Sequence, residues 1–397
     1  MEEKRNTIFH IDVNSAFLSW SVVYRMSQGE DMDLRNIPSV IGGDEQSRRG
    51  VVLAKSNLAK QYGIVTGESL YSAKRKCPNL VIVAPDFNSY RFYSKELINM
   101  LKNYSPCVEQ YSIDECFLDM GVLDKKDAYE EAYAIKERIK KELGFTVNIG
   151  ISDKKVLAKM ASEFNKPDKI NTLYSEEIKE KLWPLPVGEL FMVGRKAKEK
   201  LNKLYIFTIE DLAKHDVTFL KQKFKSYGGL IWEYANGIDS SKVQCQSEEA
   251  KIISNSITLP VDVVNKYKAH DILVQISEQI SVRLRKENKF CSGIAVNIKN
   301  KDFISYSHQK KLANPTNSTK HIGKIAQELF DEVWKKEPIR LLGIALYNLS
   351  EEFTHQVSIF DETEVYSLEK NQSLDKALDL IKEKFGDKSI KRFNNNI

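Results

Sequence analysis

Hydrophobic and polar positions first organise in "NTIFHIDVNSAFLSW", a strand of β-favouring residues that passes at Asn14 or Ser15, both good N-caps, into a helix. Asp12 lies at that junction. "RRGVVLAKSNLAKQYGI" repeats the form, an apolar strand followed by a short helix ended by Gly63. The spacing in "YRFYSKELINMLKNYSP" predicts a helix, and "CVEQYSIDECFLDM", Cys107 to Met120, predicts a strand or hairpin. In "DAYEEAYAIKERIKKELG" Ala132, Ile135, Ile139 and Leu143 fall near one helical face, with Gly144 as its stop. "FTVNIGIS" reads as a strand, and "DKKVLAKMASEFNKP" as a basic helix halted by Pro167. Such a mixture predicts an α+β layer, helices against a sheet.

From about Leu173 to Gln244 the pattern turns helical, with "KAKEKLNKLYI" and "GGLIWEYANGI" as short helices bounded by glycines. After the polar link "QCQSEEAK" a second α+β unit follows: strand "IISNSITLP", a long helix in "KYKAHDILVQISEQISVRLRKE", strands "CSGIAVNIKN" and "FISYSHQKKL", a helix around "IGKIAQELFDEVWKK", and strand "RLLGIALYNLS". That order predicts a sheet with two helices on one face. A final helix, "SLDKALDLIKEKFG", takes Ser373 as its N-cap and Gly386 as its end. There is no internal repeat.

Composition narrows the picture. The 397 residues exceed one ordinary core, and 42% hydrophobic with 29% charged residues is the balance of a globular protein. No apolar run is long enough to span a membrane. The start "MEEKRNTIFHIDV" lacks the parts of a signal peptide, so a cytoplasmic location is expected. Five cysteines, Cys77, Cys107, Cys116, Cys245 and Cys291, are odd in number and widely spaced, a pattern that fits neither a disulfide framework nor a zinc knuckle. Residues 241–350 carry 17 Lys and Arg against 11 Asp and Glu, whereas residues 351–397 carry 7 against 10. A basic module precedes an acidic tail.

Three acids interrupt or end apolar strands: Asp12, Asp114 and Glu115. Burying adjacent carboxylates is costly unless a basic partner, a shared proton or a metal ion offsets the charge. Successive strand residues face opposite sides, so Asp114 and Glu115 can share a ligand only at a turn, a bulge or a strand edge. Three hard oxygen ligands suit magnesium bound alongside substrate phosphates, and two such ions can support the attacking and leaving oxygens of a displacement at phosphorus.

"YSIDECFLDM" together with "FHIDVNSAFLSW" closely resembles the palm motifs of the Y-family DNA polymerases, the translesion enzymes of the bacterial polymerase IV group. In chain order, "VVLAKSNLAKQYGIVTG" is similar to the family's fingers segment, "NIGISDKKVLAKMASEFNKP" to its palm segment, and "SNSITLP" to the opening of its C-terminal domain. The resemblance implies a right-hand α+β architecture: palm 1–20 and 86–172, fingers 21–85, helical thumb 173–244 with helix–hairpin–helix elements, little finger 245–350 with a four-stranded sheet and two helices, and a clamp-binding tail 351–397 with a terminal helix.

By the same resemblance Asp12, Asp114 and Glu115, with the Val13 carbonyl, hold two Mg2+ ions. Phe17 falls where the family keeps an aromatic steric gate that leaves no room for a 2′-hydroxyl. Lys166 matches the palm lysine for the triphosphate; Lys60 stands where most members carry Arg and Asn57 where they usually carry Tyr, so the charge is kept and the planar fork lost. In "LFMVGRKAKEKL" Gly194 and the basic residues Lys196, Lys198 and Lys200 match the thumb's phosphate contacts, but Met192 replaces a glycine, which puts the tight turn in doubt. "QVSIF", Gln356, Val357, Ser358, Ile359 and Phe360, resembles the sliding-clamp pentapeptide. The implied function is template-directed, lesion-bypass DNA synthesis from a primer 3′-OH by two-metal phosphoryl transfer, with low fidelity and no proofreading. The implied partners are primer-template DNA, deoxynucleoside triphosphates and the bacterial sliding clamp, for a monomer at the nucleoid. The alternative is a non-catalytic, clamp-binding accessory protein of the same family.

Overall fold

An apolar run without a solvent face should be buried throughout, and strand β1 (Ile8–Val13) is buried at all six positions. The computed structural model describes residues 6–44, 48, 50–246, 249–351, 362–386 and 389–390. They gather into two compact units, one within residues 1–43 and 50–247, the other within 44–49 and 248–397.

In the first unit β1 leads into α1 (Ala16–Ser27). Ser15 occupies the N-cap in a left-handed conformation, φ 47°, but its side chain makes no capping bond. A small sheet follows, with β2 (Ser39–Gly42) between β3 (Val52–Lys55) and a later strand, and short helices α2 (Asn57–Gln61) and α3 (Leu70–Lys76) beside it. That later strand is β4 (Val81–Val83), parallel to β2. Next come α4 (Phe87–Leu101), the hairpin β5 (Val108–Gln110) and β6 (Glu115–Asp119), α5 (Lys125–Leu143), β7 (Val147–Ser152), α6 (Lys155–Glu163) and β8 (Ile170–Thr172). The helix α5 buries the Ala132, Ile135 and Ile139 stripe and stops at Gly144, φ 77°. The large sheet has the order β5-β6-β1-β7-β8, with β1 antiparallel to both neighbours.

Side-chain alternation then divides the faces of β1. Phe9, Ile11 and Val13 share a core with Trp20 of α1, Tyr90 and Leu97 of α4, and Ile135 and Ile139 of α5. Ile8, His10 and Asp12 face the other way, toward α6, where His10 Nδ1 lies 2.7 Å from Ser162 Oγ. Gly150 of β7 makes that approach possible, because a Cβ there would sit 2.0 Å from the Ala158 carbonyl oxygen and 2.4 Å from the Ser162 nitrogen. The helix is thereby pressed against the strands that carry the acids.

Helices α7 (Arg195–Asn202), α8 (Ile209–Lys214), α9 (Val217–Phe224) and α10 (Ser226–Ala235) form a separate core around Leu201, Ile209, Leu212, Leu220 and Ile231. The tight turn before α7 forms without the glycine: Met192 takes φ 74°, at a cost of about 1–2 kcal/mol for a side-chain-bearing residue, and its carbonyl accepts from Gly194 N (3.1 Å) and the Tyr227 hydroxyl (2.9 Å).

The second unit contains β9 (Ile252–Val263), α11 (Lys266–Lys286), β10 (Phe290–Asn300), β11 (Ser305–Thr316), α12 (Thr319–Val333) and β12 (Ile339–Ser350). Its antiparallel sheet has the order β11-β10-β12-β9, and α11 and α12 share its core through Leu273, Ile280, Ile322 and Phe330. A last helix, α13, runs Glu362–Phe385 rather than starting after Ser373. Serine is only mildly unfavourable inside a helix, and no glycine or proline precedes it from residue 362 to stop the helix. Asp375 accepts from Thr319 N at 2.9 Å, and Asp379 is bidentate to Arg285, so α13 is fastened to the N-terminus of α12 and the end of α11. Residues 356–360 lie outside the described residues.

The cysteine reading needs a correction. Cys107, immediately before β5, is joined by a disulfide to Cys245, 138 residues away, while Cys77, Cys116 and Cys291 are buried free thiols. Counting and spacing missed the pair because only the fold brings residue 245 back beside β5, with Val243 buried next to Cys107. Alkylation of the denatured chain should label three cysteines without reductant and five after a dithiol, and reduction should cost about 2–4 kcal/mol. Five labelled cysteines before reduction would remove the cross-link.

Candidate active site

Where β1 gives way to α1, a cleft of about 360 Å³ opens, lined among others by Asp12, Val13, Phe17, Asn57, Lys60, Asp114 and Lys166. These seven come from four separate stretches of the chain. Glu115 is not on the cleft wall; Gly194, the N-cap of α7, and Lys196 and Lys198 within α7 also lie outside it.

The hairpin answers how neighbouring carboxylates can serve one place. Asp114 is the last turn residue and Glu115 the first of β6, paired across the sheet with Asp12, so that Asp12 and Glu115 share the α6 face. The Asp114 carboxylate accepts from Ser112 Oγ at 2.6 Å and its carbonyl accepts from Val13 N at 3.1 Å, which ties the turn to the end of β1. A third acid joins from α6. Carboxylate oxygens of Asp12, Glu115 and Glu163 lie within 4.8 Å of one another.

Two ammonium groups balance this charge. Lys166 Nζ donates to Asp12 Oδ1 at 2.9 Å and to Glu163 Oε1 at 2.8 Å, and Lys159 Nζ donates to Glu115 Oε2 at 2.6 Å. Burial pushes the Asp12 carboxyl up to about 7 against the pull of Lys166. Glu115 goes the other way: burial would raise it, but His10 and Lys159 together hold it well below the usual carboxylate range. Burial lowers His10 below its ordinary value, opposed by the Glu115 carboxylate 3.8 Å from its Nε2. Burial opposes the charge on Lys166 too, yet Asp12 and Glu163 outweigh it and raise its pKa. Lys166 therefore stays an ammonium while Asp12 takes up a proton first. An all-oxygen donor set of this density fits a hard divalent cation.

Phe17 borders the cleft as the second residue of α1. Its ring stacks on Tyr90 with centroids 4.6 Å apart at 10° and meets Phe87 edge-on at 6.0 Å, while the Tyr90 hydroxyl is 2.8 Å from Ser21 Oγ. The plane is thus fixed from below. On the facing wall Ser56 caps α2 by accepting from Ala59 N at 3.0 Å, which sets Asn57 and Lys60 on the exposed first turn. Lys55 also lines the cleft; burial and then the nearby charge of Lys60 lower its pKa.

Lys55, Lys159 and Glu163 were not singled out from the sequence. Glu163 stands four residues after Lys159, a spacing that sets both on one helix face, and three before Lys166, and this spacing is the legible signal in the sequence.

The family model described as impB/mucB/samB family matches residues 11–163, and that for the impB/mucB/samB family C-terminal domain matches residues 250–359. A DNA polymerase IV of Clostridium acetobutylicum is 56% identical over 386 residues, 97% of each chain. DNA polymerase IV 2 of Bacillus subtilis is 36% identical over 399 residues, covering 98% of this chain and 94% of the relative. Among solved structures, a Y-family DNA polymerase chimera matches with a TM-score of 0.77 at 21% identity, over 87% of this chain and 100% of that one.

Proposed function

The chain belongs to the impB/mucB/samB family, the Y-family DNA polymerases of the polymerase IV group, and from that membership we propose how its cleft carries out lesion-bypass synthesis. It is a DNA-directed DNA polymerase of the translesion class, acting on DNA and nucleotides. The observation that carries the mechanistic reading is one cleft that gathers Asp12, Asp114, Phe17, Asn57, Lys60 and Lys166 beside the cross-strand partner Glu115.

Asp12, Asp114, Glu115 and the Val13 carbonyl would hold the family's divalent cofactor, two Mg2+ ions in this proposal. That cofactor would supply positive charge for the attacking 3′-oxygen and for the transferred phosphate. Lys166 and Lys60 supply positive charge to the triphosphate, and Asn57 adds an amide donor. Phe17 presents its face to the sugar and excludes a 2′-hydroxyl by contact. Fingers built on helices as short as α2 and α3 leave few residues to close over the nascent base pair, which favours low fidelity and tolerance of damaged templates.

The basic residues of 241–350 fit a little finger that grips the phosphate backbone, so binding should weaken steeply with salt. Gly194, Lys196 and Lys198 are assigned to DNA phosphates on the thumb side; a Cβ at Gly194 would meet nothing within 4 Å, which leaves open space there. Among the described residues no helix is long and apolar enough to cross a membrane. The enzyme is read as a monomer recruited by the sliding clamp through Gln356–Phe360, which begins six positions after the last residue of β12.

Primer extension with magnesium tests the reading. The intact protein should add deoxynucleotides to a primer, and replacing Gln356 and Phe360 with alanine should abolish clamp stimulation, about 10²-fold for a tethered enzyme, while basal synthesis stays within twofold. Equal loss of both activities would point to misfolding instead of tethering, and an inert intact protein would favour an accessory role.

A further inference from the structure

We propose that Asn148, acting with Asn14, is the positioning residue that fixes the Lys166 loop for the incoming triphosphate; this rests on the reading of Lys166 as a triphosphate ligand. The loop from Phe164 to Lys169 leaves α6 and enters β8, and two of its residues, Asn165 (φ 52°) and Asp168 (φ 58°), are left-handed. Side-chain-bearing residues hold such conformations only when their surroundings fix them.

A buried pair of amides does so. Asn148 of β7 is fully buried, and its Nδ2 donates to the carbonyls of Ser162 (3.0 Å) and Phe164 (3.2 Å) at the end of α6. Its Oδ1 accepts from Lys169 N (3.2 Å) at the far end of the loop and from Asn14 Nδ2 (3.1 Å). All four bonds an asparagine amide can make are thus formed. Asn14 Oδ1 in turn accepts from Asp168 N (2.9 Å) and Thr146 Oγ1 (3.0 Å). Backbone partners that are fixed donors or acceptors settle the orientation of both amides.

The consequence is a direct tie between the loop and β1. Asn14 lies two residues beyond Asp12, and Asn148 is the β7 partner of Asp12 in the sheet. Each end of the loop is held at 2.9–3.2 Å to groups that also set the place of Asp12. Lys166, midway, is thereby delivered to the cleft at a fixed height above Asp12. Serine or alanine at position 148 could not span both ends, and aspartate would set a carboxylate against two carbonyls.

Lys166 is a ligand in this scheme and Asn148 touches no substrate, so coupling between them is the test. Steady-state kinetics would be measured for Asn148→Ala, Lys166→Met and the double variant, with primer-template affinity measured alongside. Asn148→Ala should raise the KM for the nucleotide about tenfold, the effect of losing one to two hydrogen bonds, with primer-template affinity within twofold. In the Lys166→Met background the same change should add less than twofold. Asn14→Ala, at the cleft rim, should reproduce the pattern and serves if Asn148→Ala does not fold. Fully additive effects of Asn148→Ala or Asn14→Ala with Lys166→Met, or a fall in kcat alone, would overturn the positioning role while sparing Lys166. An unchanged KM in Lys166→Met would overturn the assignment of Lys166 itself, and the proposal with it.

Discussion

Exchange of Asp12 for asparagine should make the metal-free protein more stable and the enzyme inactive. The stability arm follows from linkage. The Asp12 carboxyl has a pKa of about 7 when folded against 3.8 as a free side chain, so the folded state binds its proton more tightly. For a carboxylate raised in this direction the penalty is absent below pH about 4, grows as pH rises, and is complete above about 7. Asparagine never ionises, so the gain should be on the order of 1–4 kcal/mol at pH 8 and fade toward pH 4. The activity arm follows from the site: without the anion at the junction of β1 and α1, primer extension should fall by about 10³-fold while primer-template binding persists. Urea unfolding across pH and single-nucleotide extension check the two arms separately. Activity within tenfold of the parent would remove Asp12 from the machinery; lower stability at pH 8 would show that Lys166 compensates for burial.

Phe17→Ala carries the second large effect. The ring is held flat by Tyr90 and braced by Phe87, so it cannot swing aside for a larger sugar. Removing it opens the floor of the cleft, and discrimination against ribonucleotides should fall by about 10²-fold or more, while deoxynucleotide insertion changes less than tenfold. Competition between matched deoxy- and ribonucleoside triphosphates measures the ratio. An unchanged ratio would assign Phe17 to the aromatic core alone.

Local pattern made much of this fold legible. Apolar runs marked β1, β7 and the sheet of the second unit, and the Ala132, Ile135, Ile139 stripe with Gly144 marked α5 and its end. The motif around Asp114 and Glu115 called for a turn, a bulge or a strand edge, and the turn of the β5–β6 hairpin is what the fold supplies. What stayed hidden depends on long-range placement. Glu163 reads as a solvated acid on a basic helix until Gly150 lets α6 press onto β7, and Asn148 reads as a polar interruption of a strand until its amide meets both ends of the Lys166 loop. The cross-link of Cys107 to Cys245 and the extra turns of α13 belong to the same class. Met192 departs differently. There the turn is kept by φ 74° and a doubly used carbonyl, although its residue type argued against it.

The central claim is that Asp12, Asp114 and Glu115 together hold the cofactor, whereas the carboxylates gathered within 4.8 Å are Asp12, Glu115 and Glu163, with Glu115 paired to Lys159 and Lys166 shared between Asp12 and Glu163. The difference is resolved by anomalous diffraction from crystals of the enzyme with primer-template, an unreactive nucleotide analogue and Mn2+ in place of Mg2+. The account predicts manganese between Asp12, the Val13 carbonyl, Asp114 and Glu115, with Lys159 released from Glu115 and Lys166 turned to the triphosphate. Manganese bound to Glu163 with Asp114 still turned to Ser112, or both lysines still paired with the carboxylates beside a bound nucleotide, would contradict it.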